Sequence, residues 1–129
     1  MKEGLNDLLT ERIIGVAIGV HRELGPGFLE SIYEEAMAIA MQDVGLRFLR
    51  QLAMPVMFRG RIVGEHRLDF LVEDLVVLEL KAVKAFEDVH FAIVRSYLRA
   101  TAKPCGLLLN FAAPTLQVKR IGPDFRSAS

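Results

Sequence analysis

Apolar residues are spaced for helix in the first third of the chain and mostly for strand thereafter. Ile13, Ile14, Val16, Ala17, Ile18 and Val20 give residues 6–23 a broad apolar face, which predicts an amphipathic helix. Leu24-Gly25-Pro26-Gly27 stops it, since Pro and Gly break helices and set tight turns. A second helix is predicted over residues 29–44, with Ile32, Ala36, Ala40 and Val44 as its core stripe and Gly45 in the left-handed position that ends it. Strand-like runs follow at 47–58, 61–72 and 75–83, with Arg59-Gly60 and Glu73-Asp74 as turns. A third helix over residues 87–102 stops before Pro104, and strands at 106–111 and 116–121 flank Ala112-Ala113-Pro114. The order ααβββαββ predicts an α/β fold, a mixed β-sheet flanked by helices.

Two of these strands carry charge where a buried strand should have none. Arg67-Leu68-Asp69-Phe70-Leu71-Val72 holds Asp69, and Leu75-Val76-Val77-Leu78-Glu79-Leu80-Lys81 holds Glu79 and Lys81. Glu79 and Lys81 are two apart and so share a strand face. Whether Asp69 joins them depends on the turn. A two-residue Glu73-Asp74 loop would set Asp69 opposite Leu78 and point it away from Glu79. A third loop residue, or a bulge, would set Asp69 opposite Glu79. We expect the latter, because it gathers the charge on one face and leaves Leu68, Phe70, Val72, Val76, Leu78 and Leu80 to line the other.

Composition narrows the class. At 129 residues the chain is expected to form a single domain over 1–129. Its 52% apolar content and positive mean hydropathy suggest a sheet buried on both faces. No apolar run reaches the roughly 18 residues that would span a bilayer. The first residues lack the apolar core of a signal peptide, and Cys105 is alone, which excludes a disulfide framework. These features point to a cytoplasmic protein without a membrane partner. Sixteen basic and sixteen acidic residues balance, which counts against a protein that coats nucleic acid but not against an enzyme with local positive charge. His21 and His66 have no partners at zinc-ligand spacing, and Gly25-Pro26-Gly27 matches neither nucleotide-binding glycine fingerprint.

Carboxylates converging among Val, Leu and Phe are costly unless compensated, and a divalent cation is the usual compensation. Asp69 and Glu79 form a hard oxygen site suited to Mg²⁺ or Mn²⁺, to which the backbone carbonyl of Leu80 could contribute. Lys81 would orient a water or steady the charge of a transition state. Such a set suits hydrolysis of a phosphodiester. Spacing alone leaves a partly exposed ion pair at a strand end as the commoner explanation.

Three stretches taken together, Leu24-Gly25-Pro26-Gly27-Phe28-Leu29-Glu30-Ser31-Ile32-Tyr33, Arg67 to Val72 and Glu79-Leu80-Lys81-Ala82-Val83, closely resemble the GxxExxY family of the PD-(D/E)xK nuclease superfamily. The motif falls on Gly27, Glu30 and Tyr33. Val89-His90, Tyr97-Leu98-Arg99 and residues 106–111 extend the resemblance over residues 20–121. It implies a restriction-endonuclease-like core with Asp69, Glu79 and Lys81 as signature residues. It also implies that Glu30 approaches the same metal centre. Glu30 shares a helix face with Tyr33, Met37 and Met41, which turns it toward the protein, and Tyr33 is expected as a core aromatic with its hydroxyl at the site edge. One departure stands out: related sequences usually carry a Gln four residues before the Tyr of the third helix, where this chain has Ile93.

Together with the resemblance, these residues imply a Mg²⁺- or Mn²⁺-dependent nuclease acting on DNA or RNA, with Glu30, Asp69, Glu79 and Lys81 at its centre. The alternative is a weak or inactive nuclease fold that binds nucleic acid or a protein partner. Lys84, His90, Arg95, Arg99 and Lys103 are candidate phosphate contacts, although such a stripe is also the ordinary solvated face of a helix. A chain this short offers little surface to grip a duplex, so a homodimer is expected.

Overall fold

Among the described residues of the computed structural model eight elements follow one another: α1 (Lys2–Leu24), α2 (Glu30–Asp43), β1 (Phe48–Phe58), β2 (Arg61–Val72), β3 (Val76–Lys81), α3 (Asp88–Thr101), β4 (Cys105–Asn110) and β5 (Gln117–Ile121). This is the predicted order. The structure describes residues 2–122, with side chains from residue 7. Met1 and residues 123–129, the ends of the expected 1–129 domain, lie outside the described residues. Among the described residues no helix is long and apolar enough to cross a membrane.

The five strands form one sheet in the order β1-β2-β3-β4-β5. Only β3 and β4 run parallel, because α3 carries the chain back between them. The first two helices cover one face, where Ile13, Ala17 and Val20 of α1 and Tyr33, Met37 and Met41 of α2 pack on Phe70, Val72, Val76, Leu78, Leu80, Leu107 and Leu109. On the other face Val94, Tyr97 and Leu98 of α3 pack on Leu68, Leu71, Val77 and Leu108. A sheet covered on both sides accounts for the high apolar content. β3 and β4 therefore read as nearly continuous hydrophobic runs.

The buried stripe of α2 differs from the expected one. Ile32 and Val44 are exposed, while Tyr33, Met37 and Met41 are fully buried. Both stripes are apolar. The bulkier one faces inward because the Tyr33 ring stacks on Phe111 from the end of β4, with centroids 4.6 Å apart. Gly45 takes the left-handed conformation (φ 78°) as expected. It donates to Gln42 O while Leu46 donates to Met41 O, closing α2 with a Schellman pair.

The β2–β3 turn settles the register. Glu73 and Asp74 are both left-handed, and Leu75 N–H donates to Val72 O. Leu75 is then surplus, since the ladder begins at Val72↔Val76 and continues through Leu71↔Val77 and Phe70↔Leu78. This is the extra-residue turn that brings Asp69 level with Glu79.

Beyond Phe70 the sheet changes character. β1 pairs with β2 at Arg50↔Phe70 and again at Leu52↔Leu68, but Gln51 and Asp69 between them are unpaired. Gln51 is left-handed (φ 52°). Both strands switch faces there: Phe48 and Phe70 belong to the α1/α2 side, whereas Leu52 and Leu68 belong to the α3 side. The expectation that Leu68 lies with Phe70 fails for this reason, since strict alternation does not survive an irregular residue. The far part of the β1–β2 hairpin thus leans over α3, and β2 leaves β3 where Glu79 begins.

Candidate active site

Where β2 departs, side chains replace the missing ladder. Leu80 N–H donates to Asp69 Oδ2 at 2.9 Å, and Asp69 N–H donates to Glu79 Oε1 at 3.4 Å. In an extended strand the N–H and C=O of one residue point to the same edge, so the Leu80 carbonyl is directed toward β2 as well. Lys81 is half-buried on the same strand face as Glu79. Asp69, Glu79, Lys81 and the Leu80 backbone are therefore gathered at one end of the sheet, on the α3 side.

The electrostatics are those of crowded anions. Burial, followed by the neighbouring Asp69 charge, pushes the Glu79 carboxyl up to about 8, and Lys81 only partly offsets this. Burial also raises Asp69, against the Leu80 N–H that favours its charged form. Both acids are therefore biased toward their protonated forms, Glu79 the more strongly. Tyr97 of α3 senses both acids: burial, then the Glu79 and Asp69 charges, pushes its hydroxyl up to about 12. Sequence reasoning did not place Tyr97 beside the acids. The signal available was its position on the inward face of α3, the helix crossing the charged strands.

Two carboxylates that repel each other in a desolvated corner suit a divalent cation, which would let both ionise. Mg²⁺ is commonly held by one or two carboxylates with its remaining positions filled by water, so the donor set fits. Among the described residues no three Asp, Glu, His or Cys side chains come together as a ready-made metal cage.

Glu30, at the first turn of α2, is exposed, and its Oε2 accepts from Ala82 N–H, one residue past Lys81, at 3.3 Å. The carboxylate thus reaches the outgoing end of β3 from the opposite helix layer. Tyr33 is fully buried. Its hydroxyl donates to Gly25 O at 2.6 Å and accepts from Phe28 N–H at 3.2 Å, so it fixes the glycine turn that launches α2. A residue that sequence reasoning passed over, Glu34, lies closer to Asp69: Gln51 Nε2 donates to Glu34 Oε1 at 2.6 Å and to Asp69 Oδ1 at 3.3 Å.

The basic candidates divide. Lys84 is exposed in the loop leaving β3. His90 caps α3, with Nδ1 accepting from Glu87 N–H at 2.9 Å, and so has a local structural task. Arg95 is half-buried and Arg99 exposed along α3. Lys103 pairs with Asp74 at 3.0 Å, which puts it at the turn before β3 and not at the Lys81 end. α3 returns the chain from the end of β3 to the start of the parallel β4, so the two ends of this helix lie toward opposite ends of the sheet. His66 on β2 meets Tyr97 edge-on at 4.6 Å and approaches Ser96 Oγ through Nε2 at 3.2 Å. His66, Ser96 and Arg99 line a cleft of about 350 Å³ between the hairpin and α3.

The model of the PD-(D/E)XK nuclease superfamily matches residues 7–121, which include every element that builds this corner. The chain belongs to the PD-(D/E)XK nuclease superfamily. Members of that superfamily generally use divalent metal ions, and their substrates are nucleic acids. No curated protein matches the sequence significantly. Among solved structures, the one described as "Crystal structure of SSO0001" is similar, with a TM-score of 0.55 at 13% identity over 76% of this chain. This PD-(D/E)XK chain spans about half the length of that protein (52%), and the likeness supports the restriction-endonuclease-like fold alone.

Proposed function

We propose that this PD-(D/E)XK domain is a Mg²⁺- or Mn²⁺-dependent phosphodiester hydrolase acting on DNA or RNA, in the GxxExxY branch of the superfamily. The observation that carries the reading is the Asp69–Glu79 pair at the point where β2 leaves β3, with Lys81 on the same face. Asp69, Glu79 and the Leu80 carbonyl would hold the cation. When bound, the ion would polarise a phosphoryl oxygen and acidify a water. Lys81, on the same strand face as Glu79, would orient that water and offset negative charge that builds on the phosphoryl oxygens. Glu30 steadies the end of β3 through Ala82. The cleft lined by His66 and Arg99 would offer the nucleic acid a path across α3, and Lys84, exposed in the loop leaving β3, would meet a phosphate near the cation.

The reading includes a homodimer, which would pair two centres for the two strands of a duplex. Leu29, Ile32 and Ile39 support it as an exposed apolar stripe along α2. A second reading rests on Ile93. It lies on α3, half-buried against the apolar cluster on that side of the sheet, and offers no amide to a water or phosphate, as a binding module that has lost catalysis would tolerate.

Asp69→Asn separates the two readings. The enzyme should lose cleavage at least a hundredfold while retaining affinity for an uncut oligonucleotide. If the wild type never cleaves with Mn²⁺ present and binds oligonucleotides as well as the variant, the binding module replaces the enzyme.

A further inference from the structure

The residue that breaks β1 is Gln51, and it is the wrong residue for its backbone. A left-handed conformation in mid-strand suits Gly or Asn, yet here it is held by a long amide side chain (φ 52°). The conformation has a consequence. It lifts Gln51 out of the ladder opposite Asp69 and lays its Nε2 between two acids, Glu34 Oε1 at 2.6 Å and Asp69 Oδ1 at 3.3 Å. On its other side Glu34 is clamped by Arg50, whose Nε donates to Glu34 Oε2 at 2.8 Å, while Arg50 Nη2 donates to Glu35 Oε1 at 2.6 Å. The Asp69 carboxylate is thus gripped at both oxygens, Oδ2 by Leu80 N–H and Oδ1 by the Gln51 amide.

We infer that Gln51 is a positioning residue for the cation site: its amide orients the Asp69 carboxylate and shields it from Glu34. This rests on the metal-dependent reading above. A carboxylate held at both oxygens has its lone pairs aimed before the ion arrives, so less ordering is left to do on binding. The amide supplies donors without adding charge, which suits a place between two acids: an Arg would neutralise the site and a carboxylate would deepen the repulsion. The Gln51 hydrogen bond favours ionised Asp69, against the Glu34 charge that disfavours it.

The test is Mn²⁺ titration calorimetry on the purified protein with Gln51→Gly and Gln51→Asn, together with their thermal melts. Glycine accepts the backbone and deletes the amide. Asparagine accepts the backbone and retains a shorter amide. Gln51→Gly should melt no lower than the wild type yet bind Mn²⁺ about tenfold more weakly, with Gln51→Asn between them. Should Gln51→Gly fail to fold, Gln51→Asn carries the comparison alone. Equal Mn²⁺ affinity in wild type and folded variant would overturn the inference, as would affinity falling only in step with melting temperature. Wild-type protein that binds no Mn²⁺ in an Asp69-dependent manner would sink the metal centre itself, and the role of Gln51 with it.

Discussion

Leu80 N–H donates to Asp69 Oδ2 at 2.9 Å, so a side chain of β2 takes the place of the backbone bond that its strand no longer offers β3. The arrangement opens a gap in the sheet without leaving the Leu80 donor unpaired in a buried place, which would cost about 1–3 kcal/mol. It also presses Asp69 against Glu79. The opening of the sheet and the crowding of the acids are one structural event.

The crowding makes stability depend on pH in a defined direction. Glu79 titrates near 8 in the folded chain against an ordinary carboxylate value near 4.5 when unfolded. The folded state therefore binds the proton more tightly. The stabilisation is complete below about 4.5, declines as pH rises, and is gone above about 8. Metal-free wild type should lose roughly 3–5 kcal/mol across that window. Glu79→Gln should flatten the profile and exceed wild-type stability at pH 8. Urea denaturation in EDTA at several pH values checks this.

The same sign governs the cation. Glu79 must give up its proton for the ion to bind, so Mn²⁺ affinity should rise steeply between pH 6 and about 8 and then level off. Calorimetry in buffers of different ionisation enthalpy should show proton release at pH 7 that disappears in Glu79→Gln.

A third prediction concerns the packing that supports β3. A Cβ on Gly106 would lie 2.7 Å from Val94 Cγ1, between β4 and α3. Gly106→Ala should cost about 1–3 kcal/mol by overpacking, and adding Val94→Ala should recover part of it. A double-mutant cycle of melting curves reads the coupling.

Much of this was legible before the fold. The charged residues in β2 and β3 required an extra turn residue if they were to share a face, and Leu75 supplies it. The face of Leu68 was not legible, because period-two reasoning assumes a regular strand and Gln51 breaks two strands at once. Nothing in the residues around Gln51 announces a left-handed backbone. The partners that its side chain meets there, Glu34 and Asp69, are distant in sequence. The core stripe of α2 was ambiguous for a different reason: both its faces are apolar, and the stacking of Tyr33 on Phe111 decided between them. Lys103 looked adjacent to Arg99 on the helix, but its partner Asp74 holds it at the other end of β3.

That division yields a fourth prediction. Lys84→Ala, at the outgoing end of β3, should weaken oligonucleotide binding and lower its salt dependence by about one unit of slope. Lys103→Ala should change neither beyond twofold. Fluorescence anisotropy over a salt series distinguishes them.

The central claim is best tested by incubating the purified protein with labelled single- and double-stranded DNA and RNA in Mn²⁺, with EDTA and Lys81→Ala as controls. At least one substrate should be cleaved, in a reaction that EDTA abolishes and Lys81→Ala reduces at least a hundredfold. Cleavage that persists in Lys81→Ala, or a folded wild type that cuts none of the substrates, would contradict it.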